Sequence, residues 1–154
     1  MTTKILMVCL GNICRSPLAE GILKSKLDRT KYFIDSAGTG SWHVGKSPDK
    51  RSIAIAKKYK IDISKQKGRQ FQLSDFEQFD VIYAMDSSNY EDLLNMAPDQ
   101  AAESKVKLIL DEIFPDEKVD VPDPYYGTEN GFEQVFLMLD DVCTTIANTL
   151  SKNA

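Results

Sequence analysis

The chain has 154 residues, of which 42% are hydrophobic and 27% are charged, a balance that predicts a globular protein rather than a disordered one. Its length fits a single domain over residues 1–154 that can bury a sizeable core. The formal net charge of −4 argues against a broad nucleic-acid-binding surface, although it leaves room for a local cationic pocket.

The N-terminal residues and the number of cysteines indicate in which cellular compartment the protein is expected. The first ten residues, MTTKILMVCL, contain a single six-residue apolar run and no small-residue cleavage site, so neither a signal peptide nor a membrane span is expected. Three cysteines are an odd and low number for a secreted disulfide framework. The sequence therefore predicts reduced thiols and a cytoplasmic location.

Apolar runs and helically spaced apolar residues alternate along the chain. In order, the patterns predict a strand at 5–9, a helix at 16–27, a strand at 32–35, a helix at 48–59, a strand at 80–85, a helix at 87–96, a strand at 106–110 and a helix at 132–150. Residues 115–127, rich in Pro and Asp, are predicted to form a loop. Because such alternation is typical of right-handed crossovers, the sequence predicts parallel strands in a three-layer α/β domain.

The first predicted strand ends at Cys9, within the stretch VCLGNICRSP. Ligands of parallel sheets bind beyond the carboxyl ends of the strands, so this turn is the candidate active site. Gly11 permits close backbone approach and Asn12 tolerates a left-handed conformation, so the loop can turn its N–H groups toward one point. Together with the positive end of the next helix, this concavity suits a phosphate-sized dianion.

Two side chains of this loop predict phosphoryl chemistry. Arg15 offers a planar fork that can hold two phosphate oxygens. Cys9 would lie at the base of the same positive cradle, which favours its thiolate and hence nucleophilic attack. Ser16 could donate a hydrogen bond to the sulfur and help it leave. The predicted reaction is attack on phosphorus with a cysteinyl-phosphate intermediate.

Such a reaction also requires a proton donor for the leaving oxygen, and two candidates remain open on residue type alone. His43 is the only histidine of the chain and falls in a predicted loop. Asp123 stands between two prolines in VPDPYYG, a frame that limits the movement of its carboxyl group. Followed by Tyr125 and Tyr126, which could wall an aromatic slot, Asp123 could act first as general acid and then as general base.

The cysteines allow other interpretations. A cysteine at the end of a strand is ordinarily a small core residue, but Arg and Ser at this offset favour the nucleophile. A zinc site would need Cys9, Cys14, Cys143 and His43, which lack the spacing of a zinc finger. A reversible disulfide between Cys9 and Cys14, protecting Cys9 from over-oxidation, is a hypothesis.

A second segment resembles a nucleotide-binding loop. Residues 40–47, GSWHVGKS, match G-x4-G-K-[ST], and Asp86 ends an apolar strand as a magnesium-binding aspartate would. That motif places its Lys and Ser inside a helix, whereas Pro48 favours extended geometry at Ser47. Nucleotide hydrolysis is therefore not the favoured interpretation.

Three motifs, CLGNICRSP, SAGTGSWHVG and DPYYG, resemble in this order those of the low-molecular-weight protein tyrosine phosphatases, and the resemblance spans the whole chain. It implies a four-stranded parallel twisted sheet flanked by helices, the phosphotyrosine protein phosphatase I-like fold. It also implies hydrolysis of phosphotyrosine and small aryl phosphates with no metal or cofactor. The implied partners are phosphotyrosine-containing proteins, with phosphate or other oxyanions as ligands, and neither nucleic acid nor a membrane span.

The resemblance also implies roles for individual residues. Cys9 would be the nucleophile, Arg15 the phosphate clamp and Asp123 the acid and base. The implied substrate-binding residues are Leu10, Gly11, Asn12, Ile13, Cys14, Ser16, Trp42, Tyr125 and Tyr126, with Ser36 supporting the loop. Of these, Asn12 and Ser16 would support the loop as well, and Leu10, Ile13, Trp42 and the two tyrosines would shape the slot for the phosphotyrosyl ring.

The chain departs from the family pattern at one place and differs from two related classes. Family members often carry a histidine in the segment where this chain has QKGRQ, residues 66–70. Thioredoxin-coupled arsenate reductases need further cysteines, and residues 85–96 contain none. Protein-arginine phosphatases favour threonine where this loop has Ile13, which would crowd a guanidinium and flank an aromatic ring. A phosphotyrosine-binding module without activity is not favoured, because Cys9, Arg15 and Asp123 are all present.

Overall fold

The structure, a computed structural model, describes residues 2–125 and 129–152. The strands in this part of the chain are β1 (Thr3–Cys9), β2 (Tyr32–Gly38), β3 (Val81–Ala84) and β4 (Val106–Leu108). The helices are α1 (Arg15–Lys26), α2 (Lys50–Lys58), α3 (Asp75–Gln78), α4 (Ser87–Met96), α5 (Gln100–Glu103) and α6 (Glu129–Lys152), and a 3₁₀ turn spans Ile109–Glu112. Among the described helices, none combines the length and apolar character that a membrane crossing requires.

The four strands form one parallel sheet in the order β2-β1-β3-β4, so β1 is a central strand. Residues 5–9 of β1 are buried on both faces, which explains the continuous apolar run in the sequence. Ile5 and Met7 pack with α1, α2 and α6 on one face, whereas Leu6 and Val8 pack with α3, α4 and α5 on the other. The predicted three-layer α/β architecture is therefore confirmed.

The last helix carries much of one layer. Its buried side chains recur at helical spacing and include Phe132, Val135, Phe136, Leu139, Val142, Cys143 and Ile146. This apolar stripe packs against α1, which covers the same face of the sheet. The helix predicted over 132–150 is confirmed, and it extends by a few residues at each end.

The boundaries of several predicted elements were wrong. The first strand begins at Thr3 rather than at residue 5, and the third spans Val81–Ala84 rather than 80–85. The second strand continues three residues beyond Asp35, because its small residues keep pairing with β1 as far as Gly38 opposite Cys9. The fourth strand ends at Leu108, since the chain then turns into the 3₁₀ segment. The second helix begins at Lys50 rather than at 48, where the carboxylate of Asp49 accepts a hydrogen bond from the Arg51 N–H at 2.9 Å and caps the helix.

The end of β2 lies in close contact with the turn that follows β1. Gly38 donates its N–H to the carbonyl of Arg69, and its carbonyl accepts from the N–H of Phe71. A Cβ at Gly38 would lie 2.7 Å from the carbonyl oxygen of Leu10 and 3.1 Å from the backbone nitrogen of Asn12. Only a glycine therefore lets this strand end support the turn.

Replacing Gly38 with alanine is expected to lower the free energy of unfolding by about 1–3 kcal/mol, because two backbone segments must move apart. Urea denaturation of the two proteins measures the difference. Gly131→Ala is the matched control, since a Cβ there meets its nearest neighbour at 3.8 Å and alanine is favoured over glycine within a helix. Equal denaturation midpoints for Gly38→Ala and the parent chain would contradict this account.

Candidate active site

The turn between β1 and α1 has the shape that its sequence predicts. Asn12 adopts a left-handed conformation with φ of 57°, which few residues other than glycine accept readily. At Gly11, a Cβ would lie 3.0 Å from the ring of His43, so any larger residue there would require that ring to shift. The turn thereby brings the end of β1 and the start of α1 around one point.

The sulfur of Cys9 lies at that point and is almost completely buried, with 3% of the residue exposed. The backbone N–H of Asn12 donates to it at 3.3 Å. The hydroxyl oxygen of Ser16, in the first turn of α1, lies 3.0 Å from the same sulfur. Both neighbours suit a sulfur that accepts hydrogen bonds.

The side chain of Asn12 fixes the direction of the Ser16 contact. Its amide nitrogen donates to the hydroxyl oxygens of Ser16 at 2.8 Å and Ser36 at 3.0 Å. Its amide oxygen accepts the backbone N–H of Arg69 at 3.0 Å, which determines the orientation of the amide. The Ser16 oxygen accepts from Asn12, which leaves its own hydrogen free to be donated to the sulfur of Cys9.

The same network continues to a buried carboxylate on α1. The hydroxyl of Ser36 donates to Glu20 at 2.6 Å, and Lys24, one helical turn further on, donates to the second oxygen of Glu20 at 2.6 Å. Burial raises the pKa of Glu20, and the hydrogen bonds from Lys24 and Ser36 oppose that rise. A continuous chain of hydrogen bonds thus connects a partly exposed lysine to the sulfur of Cys9.

Gln66 lies in the segment where family members often carry a histidine, and it contacts the start of α1. Gln66 donates its amide to the carbonyl of Pro17 at 3.1 Å, which ties this segment to the first turn of α1. Its amide oxygen is buried and has no hydrogen-bond partner among residues 2–125 and 129–152. Within that part of the chain, the buried carboxylate of Glu20 is instead held by Lys24 and Ser36.

Arg15 is buried beside the sulfur and held by two groups from distant parts of the chain. One guanidinium nitrogen donates to the carboxylate of Asp86 at 2.6 Å and to the carbonyl of Val121 at 3.0 Å. The other lies 3.7 Å from a carboxylate oxygen of Asp123. Burial would lower the pKa of Arg15, but the charges of Cys9, Asp86 and Asp123 outweigh it and the pKa is raised.

Asp86 contacts Arg15 in the site, a pairing that the sequence does not predict. The sequence suggested it only as a magnesium-binding aspartate of a nucleotide site. In the structure one of its oxygens orients Arg15, and the other accepts the N–H of Asn89 at 2.8 Å and so caps α4. Lys46 and Ser47 lie in the loop before α2 and outside any helix, as Pro48 predicted.

A cavity of about 320 Å³ opens above Cys9 and Arg15. Its other lining residues are Leu10, Gly11, Ile13, Cys14, Trp42, His43, Asp123 and Tyr125. Trp42 is 67% exposed and stands at the rim, and the ring of His43 lies 6.4 Å from that of Tyr125. The cavity is therefore a slot with a polar base and largely apolar and aromatic walls, suited to an aryl group that carries an anion.

Three residues expected at the site lie behind the slot rather than on its wall. Asn12, Ser16 and Ser36 are buried beneath the turn, where their hydrogen bonds fix its shape. Tyr126, expected as a wall of the slot, lies outside the described residues.

Asp123 lies at the mouth of the slot on the segment before α6. One of its oxygens accepts the N–H of Tyr125 at 3.0 Å, a local contact that turns the chain. About a third of the side chain, 36%, remains exposed. Asp123 thus combines access to water with proximity to Arg15, the position that a proton donor to a substrate would need.

Cys14 differs from Cys9 in its surroundings. Burial raises the pKa of Cys14 to about 12, and the negative charges of Asp49, Cys9 and Asp123 add to the effect. All three cysteines lie within the described residues, and none of them is in a disulfide. Among the described residues, no group of three or more His, Cys, Asp or Glu side chains is arranged to hold a metal ion.

Comparison with known proteins agrees with this geometry. The family model of the low molecular weight phosphotyrosine protein phosphatases matches residues 4–154. A protein of Synechocystis is 46% identical over 97% of both chains. The low molecular weight phosphotyrosine protein phosphatase of Schizosaccharomyces pombe is 41% identical over 90% of both chains.

Solved structures agree as well. The crystal structure of a protein tyrosine phosphatase from Entamoeba histolytica superposes with a TM-score of 0.91 at 39% identity, covering 99% of both chains. The structure of YfkJ from Bacillus subtilis gives a TM-score of 0.90 at 35% identity, covering 99% of this chain and 97% of that one. The chain therefore belongs to the low molecular weight phosphotyrosine protein phosphatase family, and its activity is that of a protein-tyrosine phosphatase.

The raised pKa of Cys14 gives a prediction about its reactivity. Because its pKa is raised from 9.0 to about 12, the thiolate fraction of Cys14 at pH 7.5 is expected to be about 10³ times smaller than that of an ordinary exposed cysteine. The thiolate is the form that reacts. Iodoacetamide should therefore modify Cys9 and leave Cys14 unmodified, as measured by peptide mass spectrometry. In Cys9→Ser, labelling of Cys14 should stay slow at neutral pH and accelerate as the pH rises; rapid labelling at pH 7.5 would contradict the prediction.

Proposed function

We propose that Cys9, Arg15 and Asp123 carry out the phosphatase reaction in two steps. The sulfur of Cys9 attacks the phosphorus of a phosphotyrosine, and the bond between phosphorus and the phenolic oxygen breaks. Water then attacks the phosphorus of the cysteinyl phosphate, which releases inorganic phosphate and restores the thiolate. The observation that supports this most directly is that Cys9, Arg15 and Asp123 line one and the same slot.

Asp123 is proposed to move the proton in both steps. In the first step its protonated carboxyl donates to the departing phenolic oxygen, so that tyrosine leaves as a neutral phenol. In the second step the resulting carboxylate accepts a proton from the attacking water. Its position near Arg15, with about a third of its side chain exposed, supports access to both the leaving group and water.

Arg15 is proposed to bind the phosphoryl oxygens and to stabilise the charge on them in the transition state. Its guanidinium is already oriented by Asp86 and Val121 before any substrate binds. The start of α1 adds its backbone N–H groups on the same side, because no side chain of the described residues caps that helix. The phosphoryl group would thus enter a site that needs little rearrangement.

The slot is proposed to select an aryl phosphate. Leu10, Ile13, Trp42 and Tyr125 offer apolar contact to a flat ring, and Ile13 would crowd a guanidinium. A role for Tyr126 as a further wall of the slot is proposed from the sequence alone. The physiological ligands would be phosphotyrosine-containing proteins, and the scheme uses neither a metal nor a cofactor.

The domain organisation and the cellular location of the enzyme are also proposals. We propose that residues 1–154 act as one domain, which the family match over residues 4–154 supports. A cytoplasmic location is supported by three cysteines, all buried as free thiols, which suit a reducing compartment.

Cys9→Ser is expected to abolish hydrolysis of para-nitrophenyl phosphate, because a serine hydroxyl at this position is a far weaker nucleophile than a thiolate. The release of para-nitrophenol in a chelator-containing buffer measures the effect. Cys143→Ala, which removes a thiol from α6 outside the site, should retain activity. Turnover by Cys9→Ser at a rate close to that of the parent enzyme would exclude the covalent route, and parallel assays with phosphoarginine, arsenate and Mg²⁺-ATP test the alternative activities.

Asp123→Ala is expected to slow hydrolysis of phosphotyrosine by about 10²–10⁴-fold, the usual contribution of a general acid. The loss should shrink for aryl phosphates with acidic phenols, since these leave without a proton. A plot of log kcat against the phenol pKa measures this dependence in both enzymes. An unchanged slope would assign the proton donor elsewhere, with His43 as the next residue to replace.

A further inference from the structure

The segment that follows the rim of the slot carries a concentration of positive charge. Residues 46–69 contain nine Lys or Arg and two Asp, whereas the whole chain contains 19 basic and 23 acidic residues. This segment is therefore basic in a protein that is acidic overall. Charge of one sign beside a binding site raises the local concentration of ligands of the opposite sign.

Helix α2, within this segment, begins directly beside the slot. The backbone N–H of Asp49 donates to the carbonyl of Ile13 at 2.8 Å, which joins the helix cap to the slot wall. The guanidinium of Arg51 donates to the carbonyl of Tyr125 at 3.1 Å and lies over the ring of Phe132 at 4.5 Å. Arg51 thus separates the slot from a second depression.

That depression is a groove of about 470 Å³ between α2 and the first turns of α6. Ile55 and Phe132 contribute apolar surface to it, and Lys50, Arg51 and Lys58 line its α2 side. Arg51 is paired with Asp49 at 3.0 Å, and Lys58 is paired with Glu133 on the opposite wall. Among the side chains that the structure describes, Lys50 has no carboxylate partner, so this cation at the start of α2 is available to a ligand.

We propose that this groove binds an acidic side chain of the substrate, close in sequence to the phosphotyrosine held in the slot. This inference rests on the proposed function. Lys50 and Lys58 are eight residues apart on one helix, a span of about 12 Å. An extended peptide covers that span in about four residues, so a flanking segment of about this length can follow the groove and place an Asp or Glu beside its lysines.

A tethered peptide is the occupant that the geometry favours. Once its phosphotyrosine is bound, the flanking residues are held beside the groove at a high effective concentration, so even a weak ion pair contributes to binding. The apolar floor can receive the methylene groups of a Glu side chain while its carboxylate meets Lys50. A flat anionic surface would meet the exposed lysines without entering the groove.

The first test compares phosphotyrosine peptides that carry Glu or Gln at matched positions on either side of the phosphotyrosine. For the parent enzyme, kcat/KM is expected to be about three- to tenfold higher for a Glu peptide, and the preference should shrink as salt is added. Lys50→Glu should abolish or reverse the preference. Lys31→Glu, an equal charge change before β2 at the opposite end of the sheet, should preserve it, and both variants should hydrolyse para-nitrophenyl phosphate like the parent.

A second variant is expected to strengthen the preference for the acidic peptide rather than weaken it. Glu133→Gln removes the partner of Lys58 and should increase the preference for the Glu peptide by about two- to threefold, a gain that structural damage would not produce. An equal kcat/KM for Glu and Gln peptides in the parent enzyme, or a loss of preference as large in Lys31→Glu as in Lys50→Glu, would overturn the inference. The proposed function would then stand, whereas a parent enzyme that hydrolyses neither peptides nor para-nitrophenyl phosphate would refute the function itself.

Discussion

The contact on which the site depends is the hydrogen bond from the Ser16 hydroxyl to the sulfur of Cys9. Its direction is set from behind the turn, because the amide of Asn12 is locked by the N–H of Arg69 and can only donate to Ser16. Arg69 is held in turn by a two-pronged contact with Asp75 at 3.0 and 3.1 Å. The hydrogen bonds around the sulfur of Cys9 are therefore oriented by residues far outside the slot.

The local parts of this arrangement could be predicted from the sequence. Cys9, Asn12, Arg15 and Ser16 belong to one strand–turn–helix unit, where the ends of regular elements fix the side-chain directions. Helical periodicity likewise predicted α6, because its stripe of apolar residues repeats over many turns.

The long-range contacts could not be predicted in the same way. Asp86 is 71 residues away from Arg15 in the sequence, and a single carboxylate after a strand carries no pattern that names its partner. Glu20 lies on α1 among apolar neighbours, and only the packing of β2 beside β1 brings Ser36 to it. The four-residue helices α3 and α5 are too short for periodicity to indicate them. In each case the missing information is how distant segments pack against each other. The spacing of residues in a single sequence does not reveal that packing.

The position of Trp42 has a practical consequence. It is the only tryptophan in the chain, and its indole stands largely in water at the rim of the slot. The intrinsic fluorescence of the unlabelled protein therefore originates at the entrance through which every ligand passes. Changes in emission on adding an oxyanion or an aryl ligand follow occupancy of that entrance in real time, with no background from tryptophans elsewhere in the molecule.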